Sequence, residues 1–142
     1  KDSPHSAFAR KNLGAMYYLD SNFDLAEKEF KKSLVLNPDE TIAHNNLGLI
    51  FMSAGKFVEA EEEYKKELTI NPAYGNVYFN YGLLKYKEGR FKEAQEFWQK
   101  TISLNPGDAG AWRALIVFAV ERGNQEEARM YLEKAKNIGL KL

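Results

Sequence analysis

Three asparagines, Asn12, Asn46 and Asn80, stand 34 residues apart in this chain. A carboxamide has an oxygen that accepts hydrogen bonds and an amide group that donates two. Each asparagine can therefore pair with both polar groups of one peptide unit without reading its side chain. Packed helices lie about 8–10 Å apart, and an extended chain advances about 3.3 Å per residue. Asparagines on successive packed helices would therefore meet about every third residue of an extended ligand.

The hydrogen bonds of such a row limit the affinity that it can supply. Each contributes about 0.5–1.5 kcal/mol in net terms, so three asparagines alone correspond to roughly millimolar binding. An apolar surface beside the row must contribute the rest.

No catalytic or metal-binding pattern accompanies the asparagines. His5 and His44 are the only histidines, and the sequence has no metalloprotease, phosphate-loop or Ser/His/Asp arrangement. His44 is expected to pack, because aromatic residues stand 34 and 68 positions after it. Ion pairs four residues apart are expected on an exposed helix face, at Glu61–Lys65 and Glu62–Lys66. We therefore predict no enzymatic activity, no metal and no cofactor.

The charges of the chain balance, with 20 Lys+Arg against 20 Asp+Glu. Nucleic-acid-binding domains are usually basic, and membrane surfaces attract polybasic segments, so neither partner is predicted. The longest apolar run, residues 114–120, is far shorter than the roughly 20 residues that a spanning helix needs. Cysteine is absent, so no disulfide pattern indicates a compartment, and the localisation stays open.

The four prolines also recur every 34 residues, at Pro4, Pro38, Pro72 and Pro106. A fixed period of this length is typical of stacked repeats. Counting from the prolines gives four repeats, at 7–40, 41–74, 75–108 and 109–142. Residues 1–6 are expected to be the tail of a preceding repeat or a linker, and the whole of 1–142 is expected to be one domain.

Each repeat predicts two helices separated by a short break. Both halves carry apolar residues at helical spacing. The break falls at Gly55, Gly89 and Gly123, because glycine readily adopts the left-handed conformation that closes a helix. The first repeat has Ser21-Asn22 there, and asparagine tolerates that conformation. An Asn-Pro pair ends the second helix, because a residue before proline avoids the helical region.

Small and aromatic residues recur at fixed positions in these helices. Glycines in the first helices are expected to face alanines in the second helices, and large aromatic residues are expected to fill the space to the next hairpin. The glycines are Gly14, Gly48 and Gly82, the alanines Ala26, Ala60 and Ala94, and the aromatic residues Phe30, Tyr64 and Trp98. Glycine within a helix costs about 1 kcal/mol relative to alanine, so its recurrence indicates a steric need.

Together these positions resemble the tetratricopeptide repeat family over residues 7–142. The match is most complete in the second and third repeats, as in "NNLGLIFMSAGKFVEAEEEYKKELTINP". The resemblance implies an all-α solenoid, in which four helix-turn-helix repeats form a right-handed superhelix and the first helices line a concave groove. It also implies a non-catalytic module that binds a peptide segment of a partner protein.

Two known binding modes of the family can be compared with this sequence. The asparagine row is similar to the asparagine ladder in the tetratricopeptide domain of O-linked N-acetylglucosamine transferase. The two-carboxylate clamp of the family fits poorly. Lys11 and Asn46 match its pattern, whereas Ala15, Asn76 and Asn80 do not.

The predicted groove residues follow from the helical period. If the recurrent glycine and leucine positions face the partner helix, the next positions around each first helix face the groove. The polar members are Lys11, Asn12, Asn45, Asn46, Asn80 and Arg113, and the apolar or aromatic members are Tyr18, Leu49, Met52, Phe79, Leu83, Tyr86, Val117 and Val120. An apolar stripe with a polar rim is a candidate interaction surface.

Two alternatives to peptide binding remain open. The last helix, Glu126 to Lys136, is expected to leave Met130, Leu132 and Ala135 uncovered, which favours self-association through the stack ends or a longer array. The chain is alternatively an accessory, substrate-recruiting domain of a larger enzyme or membrane protein.

The repeat pattern also carries an expectation about the two ends of the array. Pro4 closes a repeat that the sequence does not contain, which predicts a further repeat before Lys1. The fourth repeat departs from the pattern at Ile116, Leu132 and Leu140. Terminal repeats are often atypical, so the stack is expected to end there.

Overall fold

The computed structural model describes residues 4–142, with side chains from Ser6 onward. Within this range the chain is helical and contains no strand. It divides after Pro72 into two compact units, which we call unit 1 (up to Pro72) and unit 2 (from Ala73). The predicted all-α, repeat-built fold class is confirmed.

Each unit consists of two helical hairpins. Unit 1 contains α1 (Pro4–Leu19), α2 (Phe23–Leu36), α3 (Ala43–Ser53) and α4 (Phe57–Ile70). Unit 2 contains α5 (Gly75–Lys87), α6 (Phe91–Leu104), α7 (Ala109–Glu121) and α8 (Gln125–Asn137). Successive helices pair within each hairpin, and α2 and α6 also pack against α3 and α7, the first helices of the hairpins that follow them.

The first helix begins earlier than the sequence predicted. Residues 4–6, expected in a tail or linker, form the first turn of α1. Residues 1–3 lie outside the described part of the chain. Proline is tolerated in a first turn because its missing N–H would have no partner within the helix. Pro4 therefore begins α1.

The turns within the hairpins use left-handed residues, as predicted. Positive φ angles of 75°, 75° and 73° occur at Gly55, Gly89 and Gly123. In the first hairpin this residue is Ser21, with a φ of 60°, and not the more tolerant Asn22. Asn22 instead caps α2, because its side chain accepts a hydrogen bond from the backbone N–H of Leu25. The second helices end before the prolines, as predicted, at Asn37, Asn71 and Asn105.

The recurrent glycines lie closest to the aromatic rings of the second helices. A Cβ atom on Gly48 would lie 2.7 Å from Cδ1 of Tyr64, and one on Gly14 would lie 3.0 Å from Cδ1 of Phe30. All three aromatic rings, Phe30, Tyr64 and Trp98, are buried. Each ring occupies space that exists only because the facing residue of its own hairpin has no side chain.

The aromatic residue of the third hairpin also fills space toward the next hairpin, as predicted. The ring centroids of Trp98 and Phe118 lie 6.0 Å apart in an edge-to-face arrangement. Trp112, Leu115 and Tyr131 complete the core of unit 2 around them. The same cluster contains Ala135. This residue was expected to be uncovered on α8, but it is buried.

A buried polar residue recurs at one position of the second helices. Ser33 and Glu67 are fully buried there. The Ser33 hydroxyl donates to the carbonyl of Ala7 at 2.7 Å. The Glu67 carboxylate accepts from the backbone N–H groups of Ile42 at 2.8 Å and Asn45 at 3.2 Å. Each side chain therefore binds the backbone near the start of the first helix of its own hairpin. Glu67 accepts from N–H groups that lack intrahelical partners there.

Candidate functional site

The carboxamides of Asn12 and Asn46 lie on the first helices of unit 1. Asn12 is exposed on α1, and Asn46 is half-buried on α3. Neither side chain forms a hydrogen bond with any residue in the described range. Their donors and acceptors are therefore available to a ligand. Asn80, the third member of the predicted row, is half-buried on α5 of unit 2.

Lys11 and Tyr18, also predicted to bind a ligand, are held by neighbours within unit 1. The Lys11 ammonium lies 2.6 Å from Oε1 of Glu40, in the segment between α2 and α3, and 4.9 Å from the ring centroid of Phe8. The Tyr18 ring meets Phe23 edge-on, with centroids 5.4 Å apart. The ion pair neutralises the one cation that the sequence places beside Asn12.

The three remaining predicted residues of unit 1 lie on α3 and differ in exposure. Leu49 is half-buried. Asn45 is 5% exposed and Met52 is 8% exposed. A partner molecule would reach little of either buried side chain, so Asn46 and Leu49 form the accessible part of α3.

In unit 2, the predicted residues of α5 are anchored in the core by part of their surface. Phe79, Leu83 and Tyr86 are half-buried and pack against the cluster that contains Trp98 and Trp112. The Tyr86 ring lies 5.8 Å from Trp98, centroid to centroid. Rings packed in this way lose little conformational freedom when a ligand binds them.

The predicted residues of α7 extend the apolar surface of unit 2. Val117 is 54% exposed and Val120 is 47% exposed, and Arg113 is exposed on the same helix. The Tyr86 hydroxyl donates to Oε2 of Glu121 at 2.7 Å, which links α5 to α7. This hydrogen bond raises the pKa of Tyr86. The first helices of both hairpins in unit 2 therefore present apolar side chains close to one another.

Ionic pairs join the two helices of each hairpin in unit 1. Arg10 Nη1 lies 2.8 Å from Oε2 of Glu29, and Lys32 binds the other carboxylate oxygen at 2.7 Å. The hydrogen bond from Lys32 lowers the pKa of Glu29 and outweighs the opposing effect of burial, with a further contribution from Arg10. Glu29 is therefore ionised at neutral pH.

The second hairpin repeats this arrangement with a histidine. His44 Nδ1 lies 2.5 Å from Oε2 of Glu63, 19 positions later, the same separation as between Arg10 and Glu29. Burial favours the neutral form of Glu63, but hydrogen bonds from His44 and Lys66 outweigh it and lower the pKa. His44 packs at the helix interface, as expected, and also contacts the Glu63 carboxylate, which was not predicted.

Aromatic pairs take the same two positions in unit 2. Tyr78 lies 6.3 Å from Phe97, and Trp112 lies 6.2 Å from Tyr131, measured between ring centroids. The residues that correspond to Arg10 and His44 therefore join the helices by aromatic contact in unit 2.

The expected ion pairs along α4 are half confirmed. Lys65 binds Glu61 at 2.9 Å, but Lys66 binds Glu63 at 2.7 Å in place of Glu62.

Sequence reasoning missed the carboxylates that hold the predicted residues. Glu40, which binds Lys11, lies outside the predicted helices, and no helical spacing indicates this contact. Glu121 stands 35 residues after Tyr86, one more than the period. A search for hydrogen-bond donors and acceptors separated by about one repeat length would have found the pair of Tyr86 and Glu121.

Within residues 4–142, no three His, Cys, Asp or Glu side chains are grouped so that they could hold a metal ion. None of the helices in that range combines the length and hydropathy needed to cross a membrane.

Sequence comparison decides the family. A profile described as "Tetratricopeptide repeat" matches residues 2–75, and a second profile of the same description matches residues 75–108. This chain belongs to the tetratricopeptide repeat family. The tetratricopeptide fold makes it a protein-interaction module. No curated protein sequence matches the chain.

Solved structures of several tetratricopeptide proteins are similar to this chain. A crystal structure of MamA has a TM-score of 0.82 and 25% identity, and the match covers 95% of this chain and 79% of MamA. Pseudomonas aeruginosa pilF has a TM-score of 0.83 and 25% identity, with coverage of 95% and 62%. The first repeat domain of Spaghetti (RPAP3), bound to an HSP90 peptide, has a TM-score of 0.78 and 19% identity, with coverage of 85% and 96%.

Proposed function

We propose that this tetratricopeptide repeat chain is a non-catalytic module that binds an extended peptide segment of a partner protein on the first helices of its hairpins. The observation that carries the proposal is the state of Asn12 and Asn46, whose carboxamides are accessible and have no hydrogen-bond partner among the described residues. Each has the donors and the acceptor that one peptide unit requires.

The apolar side chains of α5 and α7 give unit 2 a surface of its own for apolar side chains of a ligand. Val117, Val120 and Leu83 are partly exposed in unit 2. Burial of apolar surface contributes about 25 cal/mol per Å², whereas one hydrogen bond contributes about 0.5–1.5 kcal/mol. We expect unit 1 to contact the backbone of a ligand and unit 2 to contact apolar side chains of a ligand.

The RPAP3 domain, which has the same fold, is bound to a peptide. Because its identity to this chain is low, the RPAP3 domain supports only the shared fold, and we do not assign its ligand to this chain. In this chain Lys11 is already paired with Glu40. We therefore propose recognition through backbone and apolar groups, and not through a terminal carboxylate.

The proposal is tested by selecting peptides from a random displayed library on the intact chain and measuring their affinities for variants. Asn46→Ala and the pair Val117→Ser with Val120→Ser should each weaken selected peptides by about three- to tenfold, which is the loss of roughly one hydrogen bond or a small apolar contact. Val58→Ser on α4, where an exposed valine lies on a second helix, is the matched control.

Two results would contradict peptide binding on the first helices. One is a selection that yields no peptide whose affinity depends on Asn46, Val117 or Val120. The other is an equal loss of affinity in Val58→Ser. Circular dichroism of each variant establishes that the helices are intact.

Self-association is the second candidate, and the exposure of Met130 and Ile138 at α8 favours it. Replacement of both by serine should then lower the sedimentation coefficient at high concentration. A chain that sediments as a monomer at every concentration excludes this candidate.

A further inference from the structure

Unit 1 has a basic cavity outside the predicted ligand surface. The cavity measures about 460 Å³ and lies between α1 and α2. Four cations line it, Arg10, Lys28, Lys31 and Lys32, together with the apolar Val35. Val35 is 83% exposed, the highest exposure among the large apolar residues of the described chain.

A second cavity adjoins the first across α2. It measures about 420 Å³ and lies between α2, α3 and α4. Lys31 and Val35 line both cavities, and Leu47 and Phe51 give the second cavity an apolar floor. Lys66 lines its far side. The two cavities form one surface with an apolar interior and a basic rim, which we call the α2 surface.

The acidic residues near the α2 surface leave its outward charge positive. Glu29 is buried beneath Arg10 and Lys32, and Glu63 is buried beneath Lys66. Glu27 binds Lys31 at 2.5 Å. Lys28 forms no ion pair with any residue in the described range. The cations therefore exceed the accessible carboxylates locally, although the whole chain is neutral.

The corresponding positions of unit 2 are closed, so the open surface is a feature of unit 1. Trp112 and Tyr131 stand there in place of His44 and Glu63 and are buried against one another. Gln99, at the position of Lys31, donates to the Tyr131 hydroxyl at 2.8 Å. In unit 2, large side chains and a hydrogen bond fill the space that in unit 1 remains open between α2 and α4.

Charge also separates the first repeat from the others at the key position. Residues 34 and 68 positions after Lys28 are Glu62 and Glu96. If this position only had to keep the second helix soluble, a side chain of either charge would serve. The local excess of positive charge therefore indicates an acidic ligand.

We propose that the α2 surface binds an acidic segment of a partner protein that also carries apolar side chains. The apolar side chains enter the cavities beside Val35, Leu47 and Phe51, and a carboxylate pairs with Lys28. A nucleic acid is disfavoured because apolar side chains form the floor. This site is separate from the first-helix surface and stands on its own observations.

The probe is a short fluorescein-labelled synthetic peptide of alternating glutamate and leucine, measured by fluorescence anisotropy with the intact chain. Lys28→Glu and Val35→Ser should each weaken its binding by about fivefold or more, which is roughly 1 kcal/mol. Lys92→Glu on α6 and Val58→Ser on α4 also change exposed residues and should leave binding unchanged. Asn12→Ala with Asn46→Ala should also leave it unchanged, which distinguishes this site from the proposed first-helix surface.

Charge, apolar contact and the identity of the occupant are tested by matched probes. A peptide with glutamine in place of glutamate should bind at least about fivefold more weakly, and added salt should weaken the acidic peptide. The proposal is overturned if the acidic peptide does not bind, if the glutamine peptide binds as tightly, or if inorganic phosphate displaces it completely. Self-association that Lys28→Glu abolishes would overturn it as well, because the occupant would then be a second copy of the chain.

Discussion

The ring of Trp98 lies directly against the backbone of Gly82, so that a Cβ atom on the glycine would be 2.6 Å from Cδ1 of the indole. Both residues are buried. The first helix of the third hairpin can approach its partner only because this position lacks a side chain. The same relationship joins Gly48 to Tyr64 and, with more room, Gly14 to Phe30.

We expect glycine-to-alanine substitutions to destabilise the chain in a graded order. Alanine favours a helix by about 1 kcal/mol, but overpacking of a rigid ring costs about 1–3 kcal/mol or more. Gly82→Ala and Gly48→Ala should therefore lower the urea midpoint, and Gly14→Ala should change it least because its contact is 3.0 Å. An equal effect at all three positions would contradict the role of the rings.

The ion pairs of unit 1 predict a loss of stability in acid. Glu29 and Glu63 have pKa values below the ordinary 4.5 when folded. Each therefore stabilises the folded state above that pH, and its contribution is lost as the pH falls through the lowered pKa. Glu29→Gln with Glu63→Gln should flatten the decline of unfolding free energy between about pH 5 and pH 3.

Urea titrations at several pH values measure this dependence. Glu62→Gln is the control, because Glu62 is exposed and forms no ion pair within the described range. A double variant that keeps the full decline would show that other carboxylates cause it.

The buried carboxylate of Glu67 predicts a costly conservative substitution. Two backbone N–H groups at the start of α3 donate to it. Glutamine of the same shape turns an NH₂ group toward one of these donors, so one hydrogen bond is lost inside the fold. Glu67→Gln should destabilise the chain by about 1–3 kcal/mol, while Glu59→Gln on the exposed face of α4 should have little effect in the same thermal melt.

The hydrogen bond between Tyr86 and Glu121 predicts a measurable pKa change. The carboxylate of Glu121 accepts a hydrogen bond from the Tyr86 hydroxyl and raises the pKa of Tyr86 above 10.0. Glu121→Gln should move that pKa down toward 10.0, as followed by NMR of the labelled tyrosine ring. Glu126→Gln, on the neighbouring helix, should leave it in place, and an unchanged pKa in Glu121→Gln would rule out the contact.

The sequence was sufficient to predict the helices and their turns. Proline, glycine and the Asn-Pro pair act locally on the backbone, so Gly55 and Asn71 take their predicted roles. Contacts were harder to predict, because a 34-residue period shows which residues are equivalent and not which ones touch. The close contact of Gly48 with the ring of Tyr64 was therefore not predicted.

The candidate site was predicted less completely than the fold. Asn45 and Asn46 are adjacent and lie only about 100° apart around α3, so the helical period separates buried from accessible residues poorly there. The same limit applies to Lys85, which stands where Tyr17 and Phe51 occur in earlier repeats. It is 1% exposed, and its ammonium binds Glu88 at 3.0 Å. Hydrophobicity alone does not predict a buried lysine with a paired head group.

The exchange of ionic pairs in unit 1 for aromatic pairs in unit 2 has a consequence for local unfolding. Salt and acid weaken ion pairs, whereas aromatic contacts such as Trp112 with Tyr131 are insensitive to both. Backbone amides of α1–α4 should therefore lose protection from hydrogen exchange in acid while those of α5–α8 keep it. Acidification would then release a ligand from unit 1 by partial opening of that unit.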